Sequence, residues 1–289
     1  MTGTGIETQF PRTPEPPAGL SRFWAAEKDR ILRQLLISDI ERDTGRKLFV
    51  YFARLDQAIT ESDADDLSEI LQRADEPDLD IMIHTAGGLI DAVEELVAML
   101  RLRGLRYRVV VPSFAKSGGT LIALSAYAIL LGVNSELGPV DPQMTVGEYR
   151  SVSAEFVAAD DGLPKIVRDV ASTNVARGKK LARANLRQIL GIGLDEPVDE
   201  LPAAGDTRLD IALKKLSSPA GFGSHGAVID FTEAKALGLP VVWMAPESML
   251  WKRIWLLHCL YDFDTKRDNI GKIIESVLDS IARPPLVWD

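Results

Sequence analysis

Short apolar runs alternate with amphipathic segments through the first half of the chain. Residues 47–52, 78–84 and 107–111 are rich in aliphatic, β-branched and aromatic side chains, and each run predicts a buried strand. Between them, residues 60–73 and 88–103 carry apolar side chains at helical spacing, which predicts amphipathic helices packed on a sheet. The β-α-β-α-β order indicates a mostly parallel sheet with right-handed crossovers, so the predicted fold class is α/β.

The same pattern predicts further elements on both sides of this unit. Helices are expected over 21–44, 117–130, 163–190, 208–216 and 233–237, and in the Trp- and Leu-rich segment 247–283, with a last strand over 240–244. Residues 1–19 are rich in proline and predict a disordered arm. Residues 196–205 combine prolines with acidic side chains and predict a connection between elements.

Two of the predicted strands end in segments with small residues. One strand ends at His84 and is followed by Thr-Ala-Gly87-Gly88, and the next is followed by a short turn with Ser117 and Gly118. Ligand sites of parallel sheets lie beyond the carboxyl ends of the strands. A serine at the tip of a strand–turn–helix faces the free backbone N–H groups of the helix start, so Ser117 is a candidate nucleophile. The glycine fingerprint of a dinucleotide fold does not follow the first strand.

Composition and charge narrow the class of partner. The net charge of −9 argues against nucleic acid, which requires a basic surface. The single cysteine permits no intrachain disulfide and suits a reducing compartment. The longest uncharged apolar run, 118–133, is too short for a membrane span, and the N-terminus does not resemble a signal peptide. We therefore expect a cytoplasmic protein without a membrane span, and the scattered histidines predict no metal or other cofactor.

Three blocks occur in order along the chain and carry a family resemblance. They are the His84-Thr-Ala-Gly-Gly block within 83–92, the Ser-Gly-Gly block within 111–124, and Leu-Gly-Pro-Val-Asp-Pro-Gln at 137–143; a closing segment, 224–239, adds to them. Together they resemble the serine dehydrogenase proteinase family, which belongs with the Clp protease and the signal-peptide peptidases in the crotonase-like superfamily. The resemblance covers about 45–245 and implies a spiral of ββα units.

This resemblance also implies a division of the chain. The expected parts are a disordered Pro-rich arm over 1–19, an N-terminal helix over 20–44, a Clp/crotonase-like protease domain over 45–245, and a C-terminal helical extension over 246–289. Members of the family often oligomerise through the long helix, so the resemblance implies a homo-oligomer. Its expected substrate is a peptide or an unfolded protein.

The resemblance assigns roles to residues of the matching blocks. Ser117 would be the nucleophile, and the backbone N–H groups of Gly88 and Gly118 would form the oxyanion hole. Clp-type enzymes carry their histidine in the loop that corresponds to 137–143, and this loop contains none, so a triad of that kind is not expected. Signal-peptide peptidases use a lysine beyond the serine instead, and Lys165 corresponds to it. The resemblance thus implies a serine peptidase with a Ser117–Lys165 dyad and an acyl-enzyme.

A lysine base has to be neutral, which requires burial among apolar neighbours. Leu163, Ile166 and Val167 supply such neighbours in sequence, and the start of a helix also disfavours a cation. The alternative is that Lys165 is a solvated residue of the first helical turn.

Other polar residues near the blocks allow two interpretations each. His84 could reach a ligand in the cleft, although a hydrogen-bonded packing role is favoured, and Asp141 could orient a neighbour or cap a turn. His225 is interpreted as a turn residue and His258 as part of the core. Lys116 adjoins the serine, but neighbouring side chains diverge, so it is a poor base.

Two other functions remain open at the sequence level. An acyl-CoA hydratase or isomerase could share the scaffold, but it requires a pair of carboxylates for which we find no candidate. A catalytically inactive binding or assembly module could retain the fold, and the Trp-rich C-terminal segment is compatible with such a role.

Overall fold

The computed structural model describes residues 21–72, 78–146, 149–191, 207–217, 221 and 223–286. The predicted arm over 1–19 and the predicted connection over 196–205 lie outside the described residues.

Seven strands form the central sheet, in the order β11-β10-β1-β2-β3-β5-β9. They are β1 (Lys47–Ala53), β2 (Asp78–His84), β3 (Arg106–Val111), β5 (Ala128–Leu131), β9 (Val241–Trp243), β10 (Lys272–Glu275) and β11 (Ser280–Arg283). The five strands from β1 to β9 are parallel, and β10 runs antiparallel to β1. Two small pairs lie outside this sheet: β4 (Phe114–Ala115) with β6 (Glu136–Leu137), and β7 (Gln143–Val146) with β8 (Tyr149–Ser153). The α/β class predicted from the sequence is confirmed.

Helices cover both faces of the sheet. They are α1 (Ser21–Thr44), α2 (Ser62–Leu71), α3 (Ile90–Leu102), α4 (Gly118–Leu124), α5 (Ala154–Ala159), α6 (Lys165–Leu190), α7 (Thr207–Ser217), α8 (Phe231–Ala236) and α9 (Met249–Arg267). Strand β1 shows how the layers arise, because its side chains point alternately to opposite faces. Tyr51 joins the core beneath α2, α3 and α4, whereas Val50 and Phe52 join the core beneath α1 and α9. The site described below lies on the α3–α4 side.

Two predicted elements differ from the structure. The helix expected over 117–130 ends at Leu124, and residues 128–131 form strand β5, paired with β3. A run that is apolar on all sides has no period that separates a buried helix from a buried strand.

The C-terminal segment, expected to be helical throughout, forms α9 and then the β10–β11 hairpin. Its strand β10 carries Lys272 and Glu275, whose charges are buried against Asp63 and Arg33 respectively. A buried charge requires such a partner, so the hairpin is an integral part of the central sheet.

Candidate active site

Ser117 stands in a strained turn at the head of α4. Its backbone has φ 52° and ψ −115°, a conformation that side-chain-bearing residues rarely adopt. The turn is joined to the end of β2 by two hydrogen bonds, Thr85 N–H to the Phe114 carbonyl and Lys116 N–H to the Thr85 carbonyl. Backbone strain of this kind persists where the surrounding structure imposes it, and it clusters at functional sites.

Three glycines allow the Ser117 turn to contact the turn that follows β2. Gly87 has φ 106°, and a Cβ there would lie 2.7 Å from Cβ of Ser117. A Cβ on Gly88 would lie 2.2 Å from the backbone nitrogen of Ile59, and one on Gly118 would also overlap a neighbouring side chain. Only residues without a side chain fit at these positions, so the glycines permit the close approach of the β2 end to the serine.

Two backbone N–H groups lie where the turn after β2 meets the Ser117 turn. Within the described part of the chain, the N–H groups of Gly88 and Gly118 donate to no backbone carbonyl or side chain. The nitrogen of Gly88 lies 3.4 Å from the position that a Cβ of Gly118 would take, so the two glycines are neighbours. Free N–H groups beside a serine can bind a negatively charged oxygen.

A histidine and an aspartate form a pair in the same cleft region as Ser117. Nδ1 of His225 lies 2.8 Å from Oδ1 of Asp141, whose side chain is only 4% exposed. The other carboxylate oxygen accepts a hydrogen bond of 2.7 Å from the Gln143 amide. Because an ionised carboxylate only accepts hydrogen bonds, Nδ1 donates the proton, and Nε2 of the imidazole is then an acceptor.

One cleft of about 480 Å³ collects these groups. Ser117, Gly87, Gly88, Gly118 and His225 all line it, with Asp141 buried behind the histidine. Its remaining walls combine apolar and amide side chains with two carboxylates: Leu55, Asp56, Gln57, Ala58, Ala86, Leu89, Ile90, Asp91, Val93, Leu121, Val140, Pro142, Gln143 and Asn174. The cleft thus collects a serine hydroxyl, an imidazole held by a buried carboxylate and two free backbone N–H groups.

Lys165 does not join this group. It begins α6, its side chain is 81% exposed, and Nζ lies 2.7 Å from Oδ2 of Asp169. The expected desolvation is absent, because the neighbouring Ile166 is itself 70% exposed. The cleft is lined by other residues, so the structure does not bring Lys165 to Ser117.

His84 lies behind the cleft and not in its wall. Its ring stacks on Phe52 at 4.4 Å and packs against Phe114 and His258, and Nδ1 lies 3.0 Å from the Ala53 carbonyl. The cleft-lining role considered for His84 does not fit this position, because β2 turns its side chain to the α1–α9 face of the sheet.

The two buried histidines predict a pH dependence of stability. Burial lowers the pKa of His84 and of His258 to about 4, from 6.5. Between these values the unfolded chain binds protons that the folded chain excludes, so the free energy of unfolding decreases as the pH falls from about 6.5 towards 4. The loss should reach roughly 3 kcal/mol per histidine, less where the two sites interact.

Urea denaturation at pH 7 and pH 5 measures this loss, and His258→Phe is the informative variant. Within the described residues Nδ1 of His258 has no hydrogen-bond partner, so phenylalanine replaces the ring without breaking a bond. The variant should lose less stability than the wild type over this range. Equal losses in both proteins would contradict the assignment.

His225 is the residue that the sequence analysis did not place in the site. Its interpretation as a turn residue is correct locally but incomplete, and the exclusion of a histidine base rested on the loop 137–143 alone. The histidine comes from a segment 84 positions beyond Asp141. The available signal was the closing block 224–239, which begins Ser-His-Gly.

The described part of the chain contains no group of three or more His, Cys, Asp or Glu side chains arranged to hold a metal ion. Nor does any helix of that part have the length and apolar character required to cross a bilayer.

The largely parallel sheet thus carries a strained serine turn beside a glycine-lined strand end. Residues 51–187, just under half of the chain, match the family described as ClpP-like SDH-type serine proteinase. The resemblance expected from the sequence is confirmed over this segment.

Two relatives come from Methanocaldococcus jannaschii, and both are uncharacterized. The protein MJ0137 is 33% identical over 199 residues, which cover 66% of this chain and 63% of the relative. The protein MJ1495 is 29% identical over 234 residues, covering 76% and 75% respectively. The chain thus spans less than two thirds of the length of the first relative.

Among solved structures, a ClpP1 mutant from Listeria monocytogenes matches 73% of this chain and 98% of its own, with 14% identity and a TM-score of 0.43. The ClpP protease catalytic domain from Plasmodium falciparum matches 69% and 86%, with 14% identity and a TM-score of 0.39.

Proposed function

We propose that this chain is a serine peptidase whose catalytic triad is Ser117, His225 and Asp141. The main observation that supports this proposal is the 2.8 Å contact between Nδ1 of His225 and the buried carboxylate of Asp141. It lies beside the cleft that Ser117 lines. This contact orients the imidazole and assigns its proton, which a general base requires. The free N–H groups of Gly88 and Gly118 form the oxyanion hole.

The reaction follows from these groups. Oγ of Ser117 bonds to the carbonyl carbon of the scissile peptide while its proton passes to Nε2 of His225. The carbonyl oxygen becomes an oxyanion and accepts hydrogen bonds from the two glycine N–H groups. When the C–N bond breaks, Nε2 returns the proton to the leaving amine, and an acyl-enzyme remains. Water then attacks this ester by the same route and releases the second product.

The triad replaces the Ser117–Lys165 dyad as the preferred hypothesis. A base must reach the hydroxyl, and the ammonium of Lys165 is solvated and paired with Asp169 at the outer end of α6. The dyad would require α6 to turn this side chain inward and break the ion pair, whereas the His225–Asp141 pair is already formed.

The substrate class follows from the shape and lining of the cleft. An open groove with apolar walls and amide side chains suits an extended peptide or an unfolded segment of a protein. We also propose that the protein acts as a cytoplasmic homo-oligomer without a cofactor. The exposed apolar side chains of Phe156, Ile166 and Val170 on α5 and α6 are suited to contact another copy.

The acyl-CoA alternative requires carboxylates that are available as acid and base. Among the described residues, two carboxylates line the cleft and a third lies directly behind it, and each has a partner. Asp56 pairs with Arg54, Asp91 pairs with Arg177, and Asp141 pairs with His225. This pairing disfavours hydratase chemistry.

Covalent labelling tests the nucleophile. Intact protein incubated with a fluorophosphonate should gain the mass of one adduct, and peptide mapping should locate it on Ser117. The Ser117→Ala variant, checked for wild-type circular dichroism, should remain unmodified, as should heat-denatured wild type. A peptide-cleavage assay accompanies the labelling. An adduct elsewhere, or cleavage that survives in Ser117→Ala, would overturn the proposal, and an inactive, unlabelled wild type would favour the binding module.

A further inference from the structure

We infer that Lys116 is a positioning residue that holds the His225 turn against the nucleophile turn. The inference rests on the proposed function and extends it, because the triad is drawn from three separate segments. Lys116 immediately precedes Ser117, and it contacts the two other segments directly.

The contacts of Lys116 join the three segments. Its Nζ donates a hydrogen bond of 3.2 Å to the carbonyl of Gly226, the residue next to His225. The same Nζ lies 2.9 Å from a carboxylate oxygen of Glu136, at the start of the loop that leads to Asp141. The aliphatic part of the side chain packs on Gly138, where a Cβ would lie 3.2 Å from Cβ and Cγ of the lysine.

The histidine turn has few other connections. In the portion of the chain that the structure describes, the backbone of residues 223–227 makes its remaining hydrogen bonds within its own turn. The next connection is the pair of 3.0 Å bonds between Leu137 and Ile229, which lies beyond the turn. Among the described residues, the hydrogen bonds that tie this turn to other segments are therefore the one from His225 to Asp141 and the one from Lys116 to Gly226.

This geometry also explains why Lys116 is not the base. Its Nζ is directed towards the Gly226 carbonyl and Glu136, and both contacts occupy it away from the neighbouring serine. The lysine acts through the imidazole, so its removal should impair turnover and leave substrate binding largely unchanged.

The experiment is a double-mutant cycle in the full chain, with Lys116→Met and His225→Ala alone and combined. Lys116→Met keeps the apolar stem and loses both polar contacts. Turnover of a chromogenic peptide or ester should fall roughly ten- to hundredfold, the range for loss of a hydrogen bond from a charged donor, while KM changes less than about twofold. Lys116→Arg, which can make both contacts, should recover most of the turnover.

The cycle separates this inference from the proposed function. In the His225→Ala background, Lys116→Met should cause no further loss, because the residue through which it acts is already absent. Lys252→Met, on the exposed side of α9, is the matched control and should behave as wild type. The thermal midpoint of each variant is measured, so that unfolding is distinguished from mispositioning.

Three results would overturn the inference while leaving the triad intact: unchanged turnover in Lys116→Met, a loss that appears wholly in KM, or full additivity with His225→Ala. If His225→Ala itself keeps wild-type turnover, the proposed triad fails first, and the inference fails with it.

Discussion

Replacement of His225 by alanine is expected to lower peptide turnover by roughly 10⁴-fold or more, while the protein remains folded. Loss of the general base from a serine triad removes most of the rate enhancement. The oxyanion hole and substrate binding alone supply only a small part of it. The side chain of His225 is partly exposed and lies outside the main core, so its removal should cost little stability. Steady-state cleavage and the rate of Ser117 labelling measure the effect, with circular dichroism as the check on folding.

Lys165→Ala is the matched control for this result. The triad predicts wild-type turnover, since the side chain is exposed and paired only with Asp169. The dyad predicts the reverse, with activity lost in Lys165→Ala and retained in His225→Ala. The two variants together therefore decide between the bases, whichever substrate is used. Loss of activity in both would indicate that α6 moves towards the cleft.

Replacement of Gly88 by alanine is expected to have the second-largest effect. The new Cβ would lie 2.2 Å from the backbone nitrogen and 2.3 Å from the carbonyl oxygen of Ile59. No rotamer change relieves a contact with backbone, so the β2 end must shift and take the Gly88 N–H away from the oxyanion. Removal of one such donor typically costs a factor of ~10² to 10³ in turnover.

Gly162→Ala is the control for a glycine substitution. A Cβ there would meet only the side chain of Asp160, at 3.1 Å, and the site lies away from the cleft. Turnover of the folded fraction should match the wild type in this variant and fall in Gly88→Ala, with slower Ser117 labelling. Wild-type labelling of folded Gly88→Ala would remove this N–H group from the proposed mechanism.

Much of the fold was predictable because its signals are local. Strands β1, β2, β3 and β9 are short runs rich in apolar residues, and α3 has an apolar face at helical spacing. The observed bounds of α1, α3 and α6 agree with the predicted ones to within a few residues. The Ser117 turn and the Gly87–Gly88 turn were also located, because a strand end followed by glycines is visible in the sequence itself. These signals need no knowledge of distant segments.

The errors have a common physical origin. Strand β5 has no period that distinguishes it from a buried helix, and its pairing with β3 and β9 made it a strand. Strand β10 was expected to be helical, but it pairs with β1, and its Lys272 and Glu275 are buried against Asp63 and Arg33. In both cases partners far along the chain override the local preference.

The features of the candidate site also separate into those that the sequence determined and those that the tertiary structure determined. The amino-acid sequence by itself determined the serine turn, the glycines beside it and the α/β class, because hydrophobic period and glycine positions act over a few residues. Only the tertiary structure decided which polar groups meet there: it brought His225 to Asp141 and left Lys165 in solvent. The reason is that a proton-transfer network depends on distances of about 3 Å between segments, and sequence spacing carries no information about such distances.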